Sequence, residues 1–379
     1  MAAIHQFLAG FNRADAISNE AVTLRSLFRS WGYESEIFSE VRRIPPELRG
    51  EARDVAEYEL QCRSDDVVVL HLSIGSIVNE VFLHLRCRKA ILYHNVTPAH
   101  YMAPVQKQIA QILARGEQQV KDLAGIAEVN MADSRFNADE LAEIGYSNVK
   151  ILPLVLDYSK LSEKPDRKVL KEFNDDLTTI LFVGRCAPNK KIEDLLLAFA
   201  YFQRNVNADS RFVHVGSHAG LERYYYALKA MCRDWKLRNV HFAGTTTQSE
   251  LNAFYRSADI FLCMSEHEGF CIPVIESMVH NVPVMAYAVG AVPETLDGSG
   301  ILFDNKDFRM IAEMMGQLTQ NQSLRSSVLL GQVERLERYR RRDLASELRR
   351  HLSPLLQNLN YSPRRHQSTK KGSNNAIPP

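Results

Sequence analysis

The stretch Ser265-Glu266-His267-Glu268-Gly269-Phe270-Cys271-Ile272-Pro273-Val274-Ile275-Glu276 constrains this chain most, because it compresses a strand end, a glycine turn and a helix start into twelve residues. Before it, Asp259-Ile260-Phe261-Leu262-Cys263-Met264 is a short apolar run of the kind a buried parallel strand uses. After it, Pro273 suits a first helical turn, where its missing N–H is an orphan anyway, and Ile275, Met278 and Val279 follow at helical spacing. Two carboxylates flank the turn, Glu268 in the loop and Glu276 about one turn into the helix. Free N–H groups and the positive end of the dipole make a helix start a seat for an anion or a polar ligand.

A buried parallel strand needs neighbours, and the sequence supplies them in two runs. Residues 4–8, a helical face of Ile17, Ala21, Leu24, Leu27, Phe28 and Trp31 closed by Gly32, and residues 33–38 make a βαβ unit. Residues 66–72, 90–93, 127–132 and 149–155 read as further strands, with a polar helix over 104–124 that carries Lys107, Arg115 and Lys121. A polar connection over 160–178 lacks a sustained pattern. Strands then follow at 179–183, 211–215, 239–243, 259–264, 282–287 and 301–303, and helices at 192–202, 307–318 and 323–352. A length of 379 residues accommodates two such domains. The expected division is an α/β domain over 1–160 and a second over 161–334, with a C-terminal helix of about 335–355 packing back on the first. The polar tail 356–379 is expected to be disordered.

In open α/β sheets ligands sit beyond the carboxyl ends of the strands. That rule places Gly75 and His94 at a candidate cleft, although a satisfied strand-end histidine is an equal account of His94. Arg185 and Lys190 occupy the loop after strand 179–183, and the Glu268-Gly269-Phe270 turn should lie beside it in the sheet. A bound diphosphate needs cations and free N–H groups, which these two loops supply. A ribose or hexose needs acceptors for its hydroxyls, which Glu268 and Glu276 supply. Taken singly, each residue has a plainer reading as a solvated arginine or a helix-dipole partner.

Other chemistries lack their marks. No G-x-G-x-x-G follows the first strand of either half, and neither G-x-x-x-x-G-K-[S/T] nor G-x-S-x-G is present. The net charge of +1 gives no global field for nucleic acid. No apolar run approaches the ~18 residues of a membrane span, and the first residues lack a signal-peptide pattern, so a cytoplasmic location is the expectation. Six cysteines without a C-x-x-C pair read as reduced thiols rather than metal ligands. The arginines over 335–350 form either a solvated face or a contact for phosphates or an anionic membrane.

Residues 179–303 resemble the donor-binding domain of glycosyltransferase family 4, retaining enzymes of the GT-B fold. The resemblance runs through Gly184-Arg185 with Pro188-x-Lys190, Val215-Gly216, Phe242-Ala243-Gly244 and Ser265-x-x-Glu268-Gly269-Phe270-x-x-Pro273-x-x-Glu276-Ser277-Met278. Asn281-x-Pro283-Val284 and Gly290-Ala291-Val292-Pro293-Glu294 continue it, and the spacing of Glu268 and Glu276 is the family's E-x7-E. The first half is similar to the acceptor domain through Tyr93-His94-Asn95 and Ala132-Asp133-Ser134.

The resemblance implies two Rossmann-like doubly wound domains facing an interdomain cleft. Arg185 and Lys190 would hold the donor diphosphate, Glu276 the nucleotide ribose, and Glu268 the hydroxyls of the transferred sugar with the N–H groups of Gly269, Phe270 and Cys271. His94 would reach the sugar across the cleft, Gly244 and Thr245 would lie near the base, and Gly10, Asp15 and Gly75 would belong to the acceptor side. The activity implied is metal-independent, retaining hexosyl transfer without a cofactor. The donor would be a nucleotide sugar, GDP-mannose first and UDP-hexose next. The acceptor would be a saccharide or lipid-linked saccharide in surface-polysaccharide assembly, with peripheral contact at the inner face of the membrane, no nucleic acid, and an oligomeric state left open. The rivals are a sugar phosphorylase, a sugar-nucleotide epimerase and a non-catalytic nucleotide-sugar-binding protein. This chain departs from the family pattern at three places. It has one glycine, Gly10, where relatives have a pair; Leu152-Pro153-Leu154-Val155-Leu156-Asp157 replaces a proline-asparagine-glycine run; and Cys271 replaces a glycine.

Overall fold

Apolar strands alternating with amphipathic helices bury both faces of a sheet, and this chain does so twice. The computed structural model describes residues 3–13 and 15–356; the tail expected to be disordered lies, from residue 357 on, outside the described residues. The first sheet contains β1 (Ile4–Leu8), β2 (Ile37–Ser39), β3 (Arg53–Asp54), β4 (Val67–Leu72), β5 (Arg88–Tyr93), β6 (Val129–Ala132) and β7 (Lys150–Ile151), in the order β3-β2-β1-β4-β5-β6-β7. The second contains β8 (Thr178–Val183), β9 (Ser210–Val215), β10 (Val240–Gly244), β11 (Ile260–Cys263), β12 (Val284–Tyr287) and β13 (Ile301–Phe303), in the order β10-β9-β8-β11-β12-β13. Every pair is parallel. Each sheet therefore reverses direction once, between β1 and β4 and between β8 and β11, and at such a switch point the flanking loops part to leave a crevice.

Several elements differ from the sequence expectation, each for a local reason. The strand expected over 33–38 pairs only as β2, with Glu34 a lone bridge to Ala3. The strand expected over 149–155 stops after Ile151, since Pro153 has no N–H for the ladder. The connection over 160–178 holds two short helices, Tyr158–Leu161 and Arg167–Glu172, started by the side chains of Asp157 and Asp166. The helix expected to run unbroken over 323–352 is three: Gln322–Arg340, Leu344–His351 and Ser353–Leu356. The first break falls at Asp343, whose carboxylate accepts from the Ser346 N–H and starts the next helix.

That break is where the chain changes lobes. Before it, Gln332 accepts from Val284 N at 2.8 Å and donates to Val282 O at 2.9 Å, and Arg335 donates to the carbonyls of Glu294 and Thr295. After it, Leu348, Leu352 and Leu355 are fully buried among Ile4, Leu24, Phe28, Val67 and Leu92 of the first lobe. Arg342 stitches this crossing to the other by donating to Pro153 O at 3.0 Å. Most arginines of the helix expected to face phosphates or a membrane are paired within the protein, Arg335 and Arg338 with Asp297 and Arg342 with Glu347. No helix among the described residues is long and apolar enough to cross a membrane.

Leu348→Ala should therefore destabilise the first lobe by about 2–5 kcal/mol, the range for truncating a buried leucine. Urea unfolding followed by circular dichroism measures it. An unchanged midpoint would mean that the terminal helices are not part of that core.

Candidate functional site

The loop after β8 and the turn after β11 meet at the second switch point. Pro188–Lys190 forms a tight 3-10 turn, and Lys191, at φ +51°, opens the helix Ile192–Asn205. The two loops are tied by the backbone, because Glu266 N donates to Asn189 O at 2.8 Å. They are also tied by charge, because Lys190 Nζ donates to Glu268 Oε1 at 2.7 Å. Burial opposes the Lys190 charge, but Glu268 more than offsets it and holds the ammonium above its usual pKa. Arg185 is exposed at the loop surface and donates to Ala219 O at 3.1 Å.

Cys271 sets the start of the next helix, Ile272–Val279, from a left-handed conformation at φ +68°. A non-glycine residue there stores roughly 1–2 kcal/mol of strain, which is why a glycine is the simpler occupant. Its sulfur, that of Cys263 and a Glu268 carboxylate oxygen lie within 4.8 Å of one another, all three side chains buried. Gly269 makes the closest approach to the first lobe. A Cβ there would stand 2.6 Å from Asn95 Cβ and 2.9 Å from Asn137 Nδ2, so only glycine allows the lobes this separation.

Across the cleft, the first lobe presents a buried polar chain over four adjacent strands. Gln6 on β1 donates through Nε2 to Ala21 O at 2.9 Å, and its Oε1 lies 3.0 Å from His71 Nε2 on β4. His71 Nδ1 is 3.0 Å from Nε2 of His94, which follows β5, and the two rings stack nearly parallel. His94 Nδ1 is 3.5 Å from Asp133 Oδ2, just beyond β6. Glu20, from the helix Ala16–Ser30, points Oε2 at both histidines, 3.5 Å from His94 Nε2 and 3.8 Å from His71 Nδ1. Burial holds His71 well below the usual histidine range and pushes the Glu20 carboxyl up to about 7. Burial lowers His94 too, but the Asp133 and Glu20 carboxylates outweigh it and leave that ring above its usual value.

Between the lobes lies a cavity of about 380 Å³ lined from both sides. Of the residues singled out in the sequence, Asp15, His94, Arg185, Lys190, Glu268, Gly269, Phe270 and Cys271 line it. Glu276 lines an adjoining cavity of about 170 Å³, with Ala16 and Ile272 common to both walls, and accepts from Tyr255 Oη at 2.7 Å. Burial raises its pKa, with the tyrosine bond opposing the shift.

Five of the singled-out residues either lie off the cavity wall or face buried partners. Gly75 does not line the cavity, although Ser73 and Ile74 before it do: a Cβ there would lie 2.2 Å from Ile112 O, so its glycine serves the close approach of the helix Lys107–Asp122. Gly10 sits beside Arg43, outside the cavity lining. Gly244 and Thr245, at the end of edge strand β10, do not line the cavity. His94 lines it but turns both ring nitrogens toward buried partners, which leaves neither directed at a ligand across the cleft. Glu20, His71, Gln6 and Asn137 were not singled out. The available signal was a histidine within the apolar run Val67-Val68-Val69-Leu70-His71-Leu72.

Gly269→Ala should force the lobes apart or cost about 1–3 kcal/mol of overpacking strain. Small-angle scattering and thermal unfolding measure the two outcomes; unchanged values in both would mean that the contact with Asn95 does not set the lobe separation.

Residues 163–341 match the family model described as glycosyl transferases group 1. A D-inositol 3-phosphate glycosyltransferase of Corynebacterium jeikeium is 28% identical over 223 residues, covering 55% of this chain and 52% of that protein. The O-antigen chain mannosyltransferase B of Escherichia coli is 25% identical over 147 residues, 38% of each chain. The matched part thus spans about half the length of the first relative or less. Among solved structures, sucrose-phosphate synthase from Thermosynechococcus elongatus superimposes with a TM-score of 0.72 at 16% identity, covering 94% of this chain and 99% of that one.

Proposed function

With residues 163–341 a member of the glycosyl transferases group 1 family and the whole chain of GT-B fold, we propose that the protein is a retaining hexosyltransferase using a nucleotide-diphosphate sugar. The observation that carries this reading is the Lys190–Glu268 pair at the second switch point, beside a cavity that both lobes line.

Departure of a nucleoside diphosphate from an anomeric carbon builds positive charge on the sugar and negative charge on the phosphate. Lys190 and Arg185 stand on one loop to meet the phosphate charge, so no divalent ion is needed at the diphosphate. Glu268, freed from Lys190 when the phosphate takes that ammonium, accepts hydroxyls of the transferred sugar. Glu276, in the adjoining cavity, accepts from the ribose in place of Tyr255. A preorganised donor at a developing oxyanion is worth about 2.7–4 kcal/mol, which sets the scale for each cation. In the retaining course, the acceptor hydroxyl attacks from the face the diphosphate leaves and gives its proton to a phosphate oxygen. Closure of the lobes excludes water, which would otherwise hydrolyse the donor.

For the donor, GDP-mannose is our first assignment, supported by the mannosyltransferase relative, and UDP-hexose the second. The acceptor is a saccharide or lipid-linked saccharide of surface-polysaccharide assembly. A lipid-linked acceptor would bring the protein to the inner face of the membrane.

A panel of GDP-, UDP- and ADP-sugars against free and lipid-linked saccharides, with the product anomer read by NMR, tests the reading. Transfer with retention is expected. Inversion would reject the mechanism, and stabilisation by a nucleotide without turnover on any acceptor would make the protein a binding module. Glu268→Ala and Lys190→Ala should each lower turnover about ten-fold or more, a loss of at least ~1.4 kcal/mol, while circular dichroism stays unchanged. Normal turnover in either would remove the assigned role.

A further inference from the structure

The transfer reaction proposed above leaves one buried group in the first lobe unused. Glu20 Oε2, His71 Nδ1 and His94 Nε2 converge, with separations of 3.0, 3.5 and 3.8 Å. Their side chains are 0%, 0% and 1% exposed. Four-coordinate zinc with ligand bonds of about 2.0–2.1 Å separates its ligand atoms by about 3.3 Å, so the triangle is already close to ligand spacing.

The atoms behind the triangle fix its chemistry. Because Gln6 Nε2 donates to Ala21 O, the amide presents Oε1 to His71 Nε2, which must carry the proton. The lone pair of a neutral His71 is then on Nδ1, facing the triangle. His94 Nδ1 faces Asp133 Oδ2, and the other Asp133 oxygen is held by Asn137. A ring nitrogen backed by a carbonyl or carboxylate is the outer arrangement that metal-binding histidines use. Glu20 Oε1 accepts from Val155 N at 3.2 Å, whereas Oε2 is buried with no hydrogen-bond partner. A proton shared by the two histidines satisfies the rings and leaves the buried Oε2 of Glu20 without a hydrogen-bond partner, which buried polar atoms rarely tolerate. A cation at the centre satisfies all three atoms.

We propose that Glu20, His71 and His94 bind a divalent ion of the zinc class. Two imidazoles and a carboxylate suit zinc and leave one position for water. The expectation of a metal-free chain rested on the cysteine spacing and on Arg185 and Lys190 meeting the diphosphate charge; it concerned neither these ligands nor this place, since they come from a helix and two strand ends brought together by sheet order. The ion would lock the His94 ring at the floor of the cleft and, through Glu20 and Val155, tie it to the segment that leads into the second lobe. This role is separate from the diphosphate site. Because the readout is the metal itself, failure of this proposal and failure of the transferase reading are distinguishable.

The test uses the full chain without an affinity tag, stripped with chelator and titrated with zinc sulfate by calorimetry. One equivalent should bind, with affinity lowered by more than the 10–100-fold typical of losing an outer partner in Glu20→Gln and His71→Asn, and retained in Cys263→Ser. X-ray absorption at the zinc edge of the wild-type protein, which needs no variant to fold, should give an oxygen and nitrogen shell containing two imidazoles. Absence of binding would overturn the proposal, as would unchanged affinity in both ligand variants. A shell containing sulfur would also overturn it and move the ion to Cys263, Glu268 and Cys271, the other group of metal-ligating side chains that converges among the described residues.

Discussion

The constraint on which this structure depends is the reversal of strand order in each sheet. After β8 the chain winds outward through β9 and β10, then returns to lay β11 on the other side of β8. The helices following β8 and β11 must therefore cover opposite faces, and the loops that lead into them diverge above the sheet. The first lobe repeats the arrangement between β1 and β4, and the residues that follow β5 and β6, Asn95 and Asn137, come close enough to the turn after β11 that Gly269 cannot carry a Cβ.

Into the second opening the sequence places opposite charges, which satisfy each other. A lysine left alone at the base of such a crevice would lose much of its hydration, and so would a lone glutamate. Paired at 2.7 Å each satisfies the other, with side-chain exposures of 21% and 9%. A ligand that is anionic at one end and rich in hydroxyls at the other can take both members at once. Each exchanges one polar partner for another, and neither is stranded. The Glu266–Asn189 backbone bond holds the two loops in register.

How far the sequence reveals this depends on whether the information is local. Glu268, Gly269 and Cys271 belong to one turn, and Arg185 and Lys190 to one loop, so their grouping followed from strand-end rules and a family resemblance. Gln6, Glu20, His71 and Asp133 are brought together by the order β1-β4-β5-β6, and in the linear sequence each has a bland reading. Gly75 shows the same dependence on distant chain. The strand-end rule gives its position, but the nearby Ile112 carbonyl, which explains why a glycine is there, belongs to a helix far along the chain. The terminal helix was overextended because its polar pattern continues through Arg341 and Arg342, whereas the capping carboxylate of Asp343 decides the break.

The two lobes exchange chain twice, and both crossings bear on the cleft. Pro153 and Val155 lie in the first, and the second begins at Arg341. Arg342 joins them through the Pro153 carbonyl, and Glu20 holds the Val155 N–H from beneath the cleft floor. Leu348, Leu352 and Leu355 then anchor the second crossing in the same hydrophobic core that carries β1, β4 and β5. Any change in lobe separation must therefore bend backbone that is hydrogen-bonded, within a few residues, to the buried polar chain under His94. Hinge and cleft floor are continuous through these hydrogen bonds, so a group that fixes Glu20 also restrains how the lobes move.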